Sequence, residues 1–98
     1  MENQETGQLI VELQRCYVRT QERAAFLALK QSELRPDDQL SLLGFMEAKE
    51  QLAIERSVLS GHACMVQEFI QTNRVILDSN SQRILRQIQT QIRQFSIL

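Results

Sequence analysis

Positions stepping by threes and fours from Leu42 to Leu77 are mostly apolar. The series is Leu42, Phe45, Lys49, Leu52, Arg56, Leu59, Ala63, Val66, Ile70, Asn73 and Leu77, with eight of its eleven positions apolar. Steps of three and four return successive side chains to one side of an α-helix. The spacing predicts a helix over 36–77, about 60 Å long at 1.5 Å per residue. Gly44 and Gly61 lie inside it, and the run Ser60, Gly61, His62, Ala63 is the place for a bend or for close approach of another backbone.

A first helix is predicted over 6–34 from the same periodicity at Ile10, Leu13, Tyr17, Thr20, Ala24, Leu27, Gln31 and Leu34. Val11, Val18 and Ala25 form a second seven-residue series, joined by Phe26 and Leu29. Two stripes mean either contacts on two sides, as in a bundle, or one wide buried face. The polar opening, Met1 to Glu5, is expected to fray. Arg35, Pro36, Asp37 and Asp38 break the pattern; Pro suits the first position of a new helix, and the aspartates then fall in its first turn, facing the positive end of the dipole. A tight turn between antiparallel helices follows. The first helix reaches about 43 Å, so the longer second helix needs further cover.

Asp78, Ser79, Asn80 and Ser81 are the second interruption, and Ser79 with Gln82 three residues on has the form of a capping box. A third helix is predicted over 81–96, with Leu85, Ile88, Ile92 and Phe95 on one stripe, Ile84 beside it, and Arg83, Arg86, Gln87, Gln89, Thr90 and Arg93 on a wet face. The expected fold is all-α: an antiparallel helical hairpin with a long second helix plus a C-terminal third helix, a three-helix bundle or coiled-coil-like arrangement in one domain over 1–98.

Composition agrees with that outline. Three Gly and one Pro leave few breakers for strands and tight turns, while 43% apolar and 23% charged residues are ordinary for a folded soluble chain. The net charge of −1 gives no general attraction to nucleic acid or anionic membrane. Its distribution is uneven. Residues 1–78 hold all twelve acidic and eight of the eleven basic side chains, whereas 79–98 hold Arg83, Arg86, Arg93 and no acid. Cys16 and Cys64 fall inside helical segments and read as buried free thiols in a reducing compartment. With no signal-like opening and no apolar run of about 18 residues, the expected location is cytoplasmic or within a larger assembly.

Chemistry has little to work with. A single histidine, His62, cannot supply a multi-histidine metal site. On a helix it is turned about 200° from both Cys64 and Ser60, too far for a nucleophile and base pair. Glu47 with Glu50, and Asp37 with Asp38, are paired in sequence but read as solvated helix faces. The phosphate loop, dinucleotide fingerprint, CxxC pair and HExxH helix are absent. No catalytic residue, metal site or cofactor is expected, and the chain is read as a non-enzyme.

What remains is amphipathic surface. The expected function is protein–protein interaction or assembly, as a small helical scaffold, adaptor or chaperone, with itself or another helical protein as partner. The docking candidates are Leu52, Leu59, Val66, Ile70, Ile88, Ile92 and Phe95, which are equally the core candidates. Lys49, Arg56 and Asn73 interrupt the long stripe and either snorkel at its edge or fix register, with Glu12, Glu22 or Glu33 as possible counter-charges. The alternative function is a nucleic-acid or membrane-surface binder using the basic helix of 79–98, with Arg83, Arg86 and Arg93 on phosphate; three arginines and one aromatic weigh against it. The apolar close, Phe95, Ser96, Ile97 and Leu98, is expected to be bound to something. In size and helicity the chain is similar to small helical-hairpin chaperones of secretion systems and to small helical subunits of phage or organelle assemblies, a likeness with no matching motif that transfers no residue.

Overall fold

The structure, a computed structural model, describes residues 4–97 and the side chains of residues 4–95. Three helices account for it: α1 Gln4–Ser32, α2 Gln39–Asn73 and α3 Ser79–Ile97. The chain is all-α, a hairpin of α1 and α2 with α3 laid against one end. The expectations for Met1, Glu2 and Asn3, for the side chains of Ser96 and Ile97, and for Leu98 lie outside the described residues. Gln4 and Glu5, expected to fray, are the first residues of α1.

The helix ends differ from the spacing-based bounds, and each difference has a local cause. Pro36 does not open α2. Its fixed φ sits inside a turn closed by Asp38 N–H on the Arg35 carbonyl (3.1 Å), so the chain is still reversing where a helix was expected. Asp38 then acts as N-cap with extended backbone (φ −109°, ψ 105°), its carboxylate accepting from Leu40 N–H at 3.1 Å. The aspartates therefore precede the first turn of α2. At the other end Arg74 adopts the left-handed conformation (φ 51°, ψ 45°), and Val75 N–H reaches the Ile70 carbonyl at 3.0 Å. That is a Schellman-type close, which stops α2 at Asn73, four residues before Leu77.

The cap of α3 is Asp78 and not Ser79. Asp78 Oδ1 accepts from Ser81 N–H at 2.7 Å, and Gln82 Nε2 donates to the Leu77 carbonyl at 3.0 Å. A carboxylate is the stronger acceptor at a helix N-terminus because it also meets the positive end of the dipole. These hydrogen bonds, from the Ser81 N–H first and its hydroxyl second, hold the Asp78 carboxyl below its usual pKa against a weaker opposing effect of desolvation.

α2 runs unbroken through Gly61, where an added Cβ would meet nothing within 4 Å. Neither the bend nor the close backbone approach expected at Ser60–Ala63 is present. The outcome is an elongated molecule of 59 × 24 × 19 Å with a radius of gyration of 16.7 Å, where a compact chain of this length has about 13 Å.

The core lies where the three helices meet. Leu13 and Cys16 of α1, Leu59, Ala63 and Val66 of α2, and Leu85 and Ile88 of α3 form one buried cluster, flanked by Leu9, Tyr17, Ile70, Leu77, Ile84, Ile92 and Phe95. Gln89, expected on the wet face of α3, turns in to donate to Gln67 Oε1 at 2.6 Å. Toward the hairpin tip only two helices remain. Ala48 and Leu52 are buried there, while Arg23 donates to Gln51 Oε1 at 2.8 Å and Arg19 pairs with Glu55 at 3.7 Å across the α1–α2 seam. Thr20, also buried in the seam, bonds back to the Cys16 carbonyl at 2.8 Å, so its hydroxyl is satisfied.

Candidate docking face

The seven side chains expected to bind a partner are used within the chain. Leu52, Leu59, Val66 and Ile88 are buried, and Ile70, Ile92 and Phe95 are half-buried against the same cluster. Their burial assigns them the core role, leaving no surface for a partner at the first four.

The polar interruptions part company. Lys49 is exposed, and Asn73 is exposed with its Nδ2 donating to the Phe69 carbonyl at 2.9 Å, which makes it part of the α2 terminus. Arg56 is half-buried with its guanidinium 4.6 Å from the centre of the Phe95 ring. Its buried Nε has no hydrogen-bond partner. Two of the three acids expected as counter-charges are engaged elsewhere, Glu12 with Arg15 at 2.8 Å and Glu33 with Lys30 at 4.0 Å, and the third, Glu22, is exposed on α1. Arg83, Arg86 and Arg93 are exposed along α3, and Arg83 donates to Asn80 Oδ1 at 2.8 Å. Cys16 is buried as expected. Cys64 is exposed, because it points away from the α1–α2 seam.

The apolar surface that stays uncovered lies elsewhere. On α2, Leu43 is 60% exposed, Ile54 56%, Val58 45% and Met65 49%. With Gly61 these fall within about 60° of one another at 100° per residue, roughly 140° around the helix from the buried stripe. Leu40 extends the row at one end and half-buried Phe69 at the other. Beside it on α1 runs a mixed row of Gln8, Glu12, Arg15, Arg19, Glu22, Phe26 and Lys30, with Lys30 Nζ 5.2 Å from the Phe26 ring centre. The Arg19–Glu55 and Arg23–Gln51 contacts join the two rows. A shallow apolar groove lined by Gln8, Leu9, Glu12, His62, Met65 and Phe69 continues them toward the start of α1. Half-buried His62 forms its floor, with a buried Nε2 that has no hydrogen-bond partner.

This is the side of the hairpin turned away from α3. The series Leu43, Ile54, Val58, Met65 was legible as a second apolar row, like Val11, Val18 and Ala25 on α1, but the longer Leu42–Leu77 stripe overshadows it. The α1 row formed by Val11, Val18, Phe26 and Leu29 is also uncovered, so neither of the two alternatives for α1, contacts on two sides or one wide buried face, is met at these residues within the chain.

Among the described residues, no three His, Cys, Asp or Glu side chains form a group that could hold a metal ion, and no helix is long and apolar enough to cross a membrane. No protein-family model, curated protein or solved structure matches this chain.

Proposed function

We propose that the protein is a non-enzymatic interaction module, an assembly subunit, adaptor or chaperone, that docks through the α1–α2 face opposite α3. The observation that carries this is the area left uncovered. A compact monomer of 11.4 kDa exposes about 5,800 Å². This chain exposes 7313 Å², about 1,500 Å² more, with the large apolar side chains Leu40, Leu43, Ile54, Val58 and Met65 exposed along one side of α2. Rows of that length on a small protein mark interaction surfaces. Helix packing in the groove between α1 and α2, or against the α2 row, is the recognition mode that such a surface fits.

Two substitutions separate docking from folding. Ile54→Asp places a charge in the exposed row and is expected to abolish association while helicity stays near wild type and the melting temperature falls only to that of the dissociated wild-type chain. Leu59→Ala empties the core and is expected to cost about 2–5 kcal/mol of stability. Circular dichroism melts and solution mass read both. If the wild-type chain neither self-associates nor retains any protein that Ile54→Asp fails to retain, the proposed function is wrong.

A further inference from the structure

We infer that the occupant of this face is a second copy of the chain, packed antiparallel with a two-fold axis beside Ile54; the inference rests on the docking function proposed above. Turning α2 about Ile54 sets Leu43 against Met65 of the other copy, Glu47 against Gly61, and Glu50 against Val58. Every acid in the row then meets a small or apolar residue, Ile54 meets its own copy, and Leu43 meets Met65. Gly61 is open to accept the stem of Glu47, since nothing lies within 4 Å of where its Cβ would be.

The charges on α1 supply an independent check of that register. Within one chain, Arg23 bonds Gln51, Lys30 approaches Gly44, and Thr20 approaches the Glu55 carbonyl, so the level of Ile54 on α2 corresponds to Thr20 and Gln21 on α1. A two-fold axis at that level places Arg19 opposite Glu22 of the other copy, and Glu22 opposite its Arg19. It brings Glu12 toward Lys30 and Arg15 toward the face of Phe26, each reciprocally. Nothing in the α2 pairing required the α1 charges to alternate in this way, yet the axis that sets Ile54 on Ile54 and Leu43 on Met65 also sets opposite charges together on α1. Charge complementarity of this kind fixes register and partner choice.

Size agrees. The row from Leu40 to Phe69 spans about 44 Å, and two helices side by side are about 20 Å wide, a face of about 900 Å². A standard stable interface takes about 800 Å² from each partner.

The test uses charge reversal and mixing. Wild-type chain should weigh twice 11.4 kDa by native mass spectrometry and sedimentation equilibrium. Glu22→Arg sets arginine against Arg19 across the axis, and Arg19→Glu sets glutamate against Glu22. Each variant alone should show a dissociation constant raised at least about tenfold. Mixed together, the two should form a heterodimer in preference to either homodimer, because every crossed pair is then opposite in sign. Melting curves of each variant check folding, and restoration on mixing cannot come from a chain that fails to fold. Homodimers of wild-type affinity from both variants, or a mixture with no heterodimer preference, would overturn the register. A monomeric wild-type chain that retains a different protein through Ile54 would overturn the second copy and leave the docking function standing; a monomer that retains nothing would overturn both.

Discussion

Polar groups at a few positions carry more consequence than their number suggests. Thr6 is fully buried in α1, and its hydroxyl has no hydrogen-bond partner. An unmet buried hydroxyl costs about 1–3 kcal/mol, so Thr6→Val, of nearly the same shape, is expected to raise stability by about 1 kcal/mol in chemical denaturation. Asp78 acts in the opposite sense. Its carboxyl titrates lower in the folded chain than in the unfolded one, so its stabilising effect is complete above the unfolded value of about 3.9. It is lost as pH falls through the depressed folded value. Acid titration of helicity is therefore expected to show a step below about pH 4, and Asp78→Asn, which can still cap, should remove it. The Asp residues at both helix starts were visible in the sequence as start signals, but which residue served as the cap was not. Ser79 matched the capping-box spacing, and only the path of the chain at Leu77 and Asp78 decided for the carboxylate.

The three helices were legible because their periodicity is long. The stripe through Leu52, Leu59, Val66 and Ile70 is the buried one, and Leu85 with Ile88 meets it from α3. What periodicity could not resolve was the last turn of each element. Leu77 continues the pattern of α2 and packs on the core, yet it does so after the left-handed turn at Arg74 has ended the helix. Gly61 misled in a different way. It is a helix-weakening residue in a place where a bend would have been useful, but the i to i+4 ladder on either side holds α2 continuous. With open space around it, Gly61→Ala is expected to stabilise the isolated chain by about 1 kcal/mol, measured at concentrations where the chain is monomeric. A destabilisation under those conditions would mean that α2 is bent or crowded there.

At the scale of the molecule, a 35-residue helix is too long to be covered by the 19 residues of α3. The core therefore occupies one end of the hairpin, and the tip and the back of α1 and α2 remain open to solvent. The sequence showed the amphipathic excess but assigned it to the strongest stripe, which is the one the chain buries within itself. Separating interface from core required knowing where α3 sits, since α3 claims the groove lined by Leu59, Ala63 and Val66 and leaves Leu43, Ile54, Val58 and Met65 outside. Basic residues on the outer face of α3 remain free of any role in that packing, with Arg86 and Arg93 exposed along it.

The most direct measurement is the solution mass of wild type and of Ile54→Asp by light scattering across a concentration series, with circular dichroism on the same samples. The expected result is a wild-type species of twice the 11.4 kDa chain mass that dissociates on dilution, and an Ile54→Asp chain that is monomeric throughout with undiminished helicity. A wild-type chain that stays monomeric at every concentration, or an Ile54→Asp chain that associates as tightly as wild type, would contradict the account.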